Sequence, residues 1–140
     1  MKVIIVGGGC AGSGAAIAAR NAGAEVTVLE RTDMLLGTGL VGGIMRNNGR
    51  FTATEEMIAL GGNEIFETID ANCRHKNIEF PGHKHASLYD IALIEPAIRS
   101  LLLSKGIEVR LQARVKEVEM DGDKMTAVIL SDDEKIVGDV

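Results

Sequence analysis

The apolar and polar positions of this 140-residue chain change period several times, and each change marks an element. Lys2 to Val6 is a short, continuously apolar, β-branched run, which predicts a strand buried on both faces. Gly7 to Gly9 stop it. Ala11 to Ala22 carries small residues with Ile17 and Arg20, and predicts a helix ended by Gly23. Glu25 to Leu29 predicts a second buried strand. Strand, helix and strand within about 30 residues predict a βαβ unit with parallel strands and a right-handed crossover. A glycine-rich connection then fills 32 to 50, and Thr52-Ala53-Thr54-Glu55 fits a capping box. Met57, Ile58, Leu60, Ile65, Phe66 and Ile69 predict a helix over 54–71, which Gly61-Gly62 can split. Residues 72 to 88 show no clear period. Asp90 opens a short turn, and the main helix is expected near Glu95, with Pro96 in its first turn and Gly106 as its stop. Ile107 to Leu111 predicts a strand. Val115, Val118 and Met120, then Met125, Val128 and Leu130, flank Asp121-Gly122-Asp123 as a hairpin, and Lys135 to Val140 reads as a third meander strand.

Composition narrows the class. The chain is 46% apolar with four aromatic residues (Tyr 1, Phe 3) and no Trp, so its core must be aliphatic. The 17 glycines are clustered rather than periodic, and the segments between them are apolar, which excludes collagen and argues against disorder. A formal charge of −5 without an aromatic-basic stretch argues against nucleic acid or an anionic membrane as partner. Lys2 and the apolar run after it imitate a signal peptide, but the glycines at 7, 8, 9, 12 and 14 break that run. No segment reaches the ~18 consecutive apolar residues of a membrane helix. Cys10 and Cys73 are too few for a disulfide framework, so a reducing, cytoplasmic compartment is expected.

The chemistry begins at Gly7-Gly8-Gly9-Cys10-Ala11-Gly12, which satisfies G-x-G-x-x-G between a predicted strand and a predicted helix. Gly7 permits the tight turn and Gly9 lets the backbone approach a pyrophosphate. Gly12, with Ala15 and Ala16, lets helix and sheet pack closely. The helix N-terminus offers free amides and a partial positive charge to the phosphates. Glu30 closes the next strand, 23 residues after Gly7, where a carboxylate accepts ribose hydroxyls and disfavours the 2′-phosphate of NADP. The fingerprint alone does not separate FAD from NAD. Cys10 reads as a small filler rather than a thiol activated by the helix N-terminus. Cys73 with His75, and His83 with His85, match no zinc spacing, so no metal is expected. Arg46, Asn47, Asn48 and Arg50 could face a flavin phosphate or an acidic substrate, and read equally well as a solvated loop.

The run VIIVGGGCAGSGAAIAARNAGAEVTVLER resembles the start of FAD-dependent oxidoreductases with the glutathione-reductase type of FAD domain. The run LYDIALIEPAIRSLLLSKGIEVRLQARVKEVEMDGDKMTAVIL resembles the helix, strand and β-meander of the same family, closest to its fumarate-reductase-like flavoproteins. The resemblance implies an α/β, Rossmann-like domain holding FAD, incomplete here. It divides the chain into 1–43, a βαβ unit with its glycine loop; 44–88, a helical or irregular insertion that starts a substrate domain; and 89–140, helix, strand and meander. It implies that Gly7, Gly9, Ala11 and Gly12 meet the pyrophosphate, Glu30 the adenosine ribose and Arg31 the adenine, with backbone near Val115 at the adenine edge. Gly37 falls in the family's Gly-Gly pair near the ribityl chain, with Leu36 replacing the first glycine. Val137-Gly138-Asp139 resembles the family's Gly-Asp motif, but its place in the meander makes it a strand ending. The function implied is hydride or electron transfer through FAD on an unidentified small-molecule substrate, completed by the rest of the enzyme or a second subunit. An NAD-dependent dehydrogenase domain and a non-catalytic nucleotide-binding fragment are the alternatives.

Overall fold

The computed structural model describes residues 1–41, 58–81 and 83–140. The chain divides into two compact units, one of residues 1–37 and 99–140, the other of residues 38–98.

In the first unit, β1 (Lys2–Val6), α1 (Cys10–Asn21) and β2 (Glu25–Leu29) form the expected βαβ unit, with β1 and β2 parallel from Lys2↔Glu25 to Val6↔Leu29. The strand over Glu108–Arg110, β5, pairs parallel with the other side of β2, so the order is β1-β2-β5. The central strand is the most buried one, with Val26, Val28 and Leu29 buried. Full burial of one such side chain contributes about 1.5–3 kcal/mol. β1 departs from the expected two-sided burial, because it lies at the edge of this sheet, and Val6 is 60% exposed. The last residues of the chain run along that edge. Ile4 N–H donates to Val140 O and Asp139 N–H to Lys2 O, both at 2.8 Å, and the Lys2 amide donates to the Asp139 carboxylate. Val137-Gly138-Asp139 is therefore a strand ending followed by a crossing to β1. Gly138 packs so closely that a Cβ there would lie 2.6 Å from Ile4 Cδ1.

β6 (Val115–Asp121), β7 (Lys124–Leu130) and β8 (Lys135–Val137) form the antiparallel meander, in that order. Val128 and Leu130 of this meander join Leu29 and Ala113 in a buried cluster, with Ile4, Val115 and Ile136 packed against it. Successive strand residues face opposite ways. Ile4 accordingly faces the meander, while its neighbour Ile5 faces α1, beside Gly12.

In the second unit, α2 (Thr38–Val41) is short, and a π-helical turn over Ile58–Gly62 precedes α3 (Asn63–Ala71). The helix expected over 54–71 is thus helical from Ile58 to Ala71 without a break and changes from π to α winding after Gly61-Gly62; its capping box lies outside the described residues. Residues 72–88, read as irregular, form instead an antiparallel hairpin of β3 (Cys73–Phe80) and β4 (His83–Tyr89). Three register shifts interrupt its pairing, and each bulge breaks the two-residue alternation by which a strand is recognised.

Helix α4 (Ile91–Ser104) has residues in both units. It starts earlier than expected because the Asp90 carboxylate accepts the Ala92 amide at 2.9 Å, while Asp90 O receives the Leu93 and Ile94 amides. The Arg74 guanidinium, 2.8 Å away, and that capping amide hold the Asp90 carboxyl below the usual carboxylate range. Pro96 therefore lies inside the helix, not in its first turn, and is exposed. It deprives the Ala92 carbonyl of a donor. Pro96→Ala restores that hydrogen bond at no loss of burial, so a stabilisation of roughly 1–3 kcal/mol is expected in chemical denaturation. An unchanged or lower midpoint would show that the helix requires the proline.

Candidate functional site

The turn after β1 is built from backbone. Gly7 has φ +101°, a conformation that side chains oppose, and its amide donates to Leu29 O at 2.8 Å, tying the turn to β2. Gly9 is the N-cap of α1, with no side-chain cap. The Ser13 amide makes the first helical hydrogen bond, to Gly9 O at 2.8 Å. The amides of Ala11 and Gly12 precede it in the first turn, where donors lack helical partners and positive potential accumulates.

The glycines of this turn have different reasons to be glycine. A Cβ on Gly12 would lie 1.9 Å from Gly7 O, so α1 crosses directly over the turn. A Cβ on Gly8 would lie 2.4 Å from Leu35 Cδ2 and 3.3 Å from Glu30 Cβ. A Cβ on Gly9 would meet nothing within 4 Å. The lack of a side chain at Gly9 leaves open space, whereas at Gly8 and Gly12 it admits other atoms of the protein. Gly8 had no assigned part in the fingerprint; three consecutive glycines where the motif requires two are the signal that points to it.

Glu30 follows β2 and is 7% exposed. Its Oε2 accepts the Gly8 amide at 2.8 Å; its Oε1 accepts the Thr32 amide at 2.8 Å and the Thr32 hydroxyl at 2.9 Å. Burial acts to raise the Glu30 carboxyl, but the Thr32 and Gly8 donors and the charge of Arg31 outweigh it and hold the carboxyl below the usual glutamate range. The backbone is fixed as firmly. Glu30 N–H donates to Arg110 O, Ala113 N–H to Glu30 O and Gln112 N–H to Thr32 O, which binds the turn after β2 to the segment entering β6. Thr32 is a residue of the site that sequence reasoning missed, since only the folded turn brings its hydroxyl back to Glu30.

These elements enclose a cleft of about 330 Å³, lined by Val6, Gly7, Leu29, Glu30, Arg31, Ala113, Arg114 and Val115. It opens at the carboxyl ends of β1 and β2, where parallel α/β sheets bind ligands. Of the residues singled out in the sequence, Gly7, Glu30, Arg31 and Val115 line it, and Gly9, Ala11 and Gly12 form the turn and helix start beside it. Gly37 does not line it. It follows Leu36, which makes a parallel bridge to Gly9 and donates its amide to Gly8 O at 2.8 Å. Leu36 has φ +71° and Gly37 φ +45°, so the backbone here keeps a glycine-like conformation despite the leucine. Cys10 is exposed rather than packed as filler. Although the residue is exposed as a whole, desolvation around the sulfur pushes its thiol up, with its own amide opposing, the reverse of an activated thiolate. Arg46, Asn47, Asn48 and Arg50 lie outside the described residues.

The parallel βαβ unit, its glycine turn and the carboxylate at the end of β2 define a dinucleotide-binding α/β domain. The sequence profile of the FAD dependent oxidoreductase family matches residues 2–139, and the chain belongs to that family, whose cofactor is FAD. Its fold is similar to that of GidA from Aquifex aeolicus, with TM-score 0.72 and 18% identity over 99% of this chain and 24% of that one. It is similar to FqzB, with TM-score 0.68 and 22% identity over 99% of this chain and 34% of that one. It is also similar to THI4 from Thermovibrio ammonificans, with TM-score 0.63 and 21% identity over 93% of this chain and 47% of that one. The chain therefore spans about a quarter to a half of the length of these structures. Among the described residues no helix is long and apolar enough to cross a membrane.

Proposed function

We propose that this chain is the FAD-binding portion of a flavin-dependent oxidoreductase and that its cleft takes the adenosine end of the cofactor. One observation carries the reading: the Gly7 turn and a charged, amide-held carboxylate at Glu30 line one cleft at the ends of two adjacent parallel strands, with the open backbone position of Gly9 following in the same turn. The donor set fits the cofactor. Backbone of Gly7, Gly9, Ala11 and Gly12 would meet the pyrophosphate, Glu30 would accept ribose hydroxyls, and Arg31 and the backbone at Val115 would border the adenine. Gly37 would stand on the flavin side. When bound, FAD supplies hydride or electron transfer. The residues of this chain bind and orient it, and they exclude a 2′-phosphate by the charge of Glu30.

Because the chain spans only part of its structural relatives, substrate recognition and catalytic groups are assigned to the remainder of the enzyme or to a second subunit. Two cysteines, Cys10 and Cys73, are too few for a disulfide framework and suit a reducing compartment such as the cytoplasm. Calorimetric titration of the chain with FAD, ADP, FMN and NAD tests the reading. FAD and ADP are expected to bind and to compete, whereas FMN, which lacks the adenosine end, is not expected to bind. FMN binding as tight as FAD, or FAD binding that ADP cannot displace, would overturn it. Preference for NAD would move the chain to the dehydrogenase class.

A further inference from the structure

Glu30 lines the cleft with two chemically different oxygens. An ionised carboxylate offers about four acceptor sites, two on each oxygen. Oε1 has both filled, by the Thr32 amide and the Thr32 hydroxyl. Oε2 takes only the Gly8 amide among the described residues, which leaves one acceptor site on that oxygen. The Thr32 hydroxyl has one proton and two acceptors within reach, Glu30 Oε1 and Met34 O, each at 2.9 Å. A carboxylate is the stronger acceptor, so the proton goes to Glu30 while that group is charged.

We propose that Thr32 is a positioning residue, which saturates Oε1 of Glu30 and thereby presents Oε2 to a ribose hydroxyl of the bound dinucleotide. The inference rests on reading the cleft as the adenosine site of FAD. A carboxylate held at only one oxygen would rotate between two presentations and divide its acceptor sites between ligand and loop. Held at both, it offers one acceptor in one direction. Arg31 acts on its charge and Arg114 shares the cleft wall, while Arg110 meets Glu30 through its backbone carbonyl and pairs its guanidinium with Glu134. No histidine occurs in residues 1–37 or 99–140, so no side chain there with an ordinary pKa near 6.5 competes in this range.

The test compares ADP with 2′,3′-dideoxy-ADP, which lacks the ribose hydroxyls, by calorimetry. The unmutated chain is expected to prefer ADP by roughly tenfold or more, the range for hydrogen bonds to a charged acceptor. Thr32→Val keeps the shape of the side chain and removes the hydroxyl, and is expected to lower that preference to about threefold, with Thr32→Ser restoring it. Equal weakening of both nucleotides in Thr32→Val would mark Thr32 as merely structural and overturn the inference. Should Thr32→Val not fold, the unmutated chain decides: its ADP preference is expected to stay constant from pH 7 to pH 5, and a fall within that range overturns the inference. Failure of ADP to bind at all would remove the nucleotide reading of the cleft. Binding of ADP without any preference over the dideoxy form would remove only the role of Thr32 and Glu30.

Discussion

Replacing Gly12 by alanine is expected to cost the chain both stability and flavin. The added methyl would lie 1.9 Å from Gly7 O, 3.1 Å from Gly7 C and 3.3 Å from Ile5 Cγ2. The nearest obstacles are backbone atoms, and Gly7 cannot yield independently because its amide is bound to Leu29 O and its φ is already +101°. The remaining response is for α1 to lift from β1, which opens the packing around Ala16 and Ile17. Overpacking of this kind costs about 1–3 kcal/mol. For a domain of this size that lowers Tm by roughly 5–10 °C. Lifting α1 also moves the amides of Ala11 and Gly12 away from the cleft, so a loss of flavin affinity of at least about tenfold is expected, since each 1.4 kcal/mol is tenfold. Gly9→Ala is the control. Its methyl meets no protein atom within 4 Å, so Tm should hardly change, while the methyl occupies space the pyrophosphate would need. If Gly12→Ala melts like the unmutated chain, or Gly9→Ala binds flavin undiminished, the division of labour between these glycines is wrong.

The elements that could be read in the sequence were those whose period is unbroken. Val26, Val28 and Leu29 are buried because they lie in the central strand, with only Thr27 interrupting them, and the turn signal of Asp121-Gly122-Asp123 lies where β6 and β7 meet, pairing from Asp121↔Lys124 onward. The β3–β4 hairpin could not be read, since its bulges scramble the alternation, although Pro81-Gly82 between the two strands is a turn dipeptide that could have revealed it. Helix α4 starts before the point that Pro96 predicts because the Asp90 carboxylate caps it at the Ala92 amide. The place of β1 at one side of the sheet depends on strand order, which local sequence does not encode. The site divides in the same way. Gly7, Gly9, Gly12 and Glu30, which we propose meet the dinucleotide, carry a fixed spacing imposed by the βαβ unit, so the sequence alone singles them out. Gly8 and Thr32 matter because the turn after β2 folds back on the turn after β1, a contact across 22 residues between Gly8 and Glu30.

That contact makes Glu30→Gln a more damaging change than its shape suggests. The carboxylate accepts from donors at both oxygens: two at Oε1 and one at Oε2. A glutamine amide has one oxygen. If that oxygen faces Thr32, the NH₂ group confronts the Gly8 N–H; if it faces Gly8, the NH₂ group confronts the Thr32 N–H, while the Thr32 hydroxyl can turn its proton to Met34 O. Each arrangement leaves a donor of this buried site unsatisfied, at about 1–3 kcal/mol. Flavin affinity is expected to fall by a further 1.5–3 kcal/mol or so as the charged acceptor for the ribose is lost, and Glu30→Ala should lose a similar amount. The dependence on pH separates charge from shape. The folded-state pKa of Glu30 lies below its unfolded value, so its contribution to stability is full above the usual glutamate range and is lost as pH falls through the folded value. Acid denaturation of the unmutated chain should therefore include a decline that Glu30→Gln lacks, so that the two stability curves are far apart at pH 7 and approach each other in acid. Curves that stay parallel down to pH 3 would mean that the loop amides of Gly8 and Thr32 are not bound to a charge, and that the carboxylate is not held ready for a ribose.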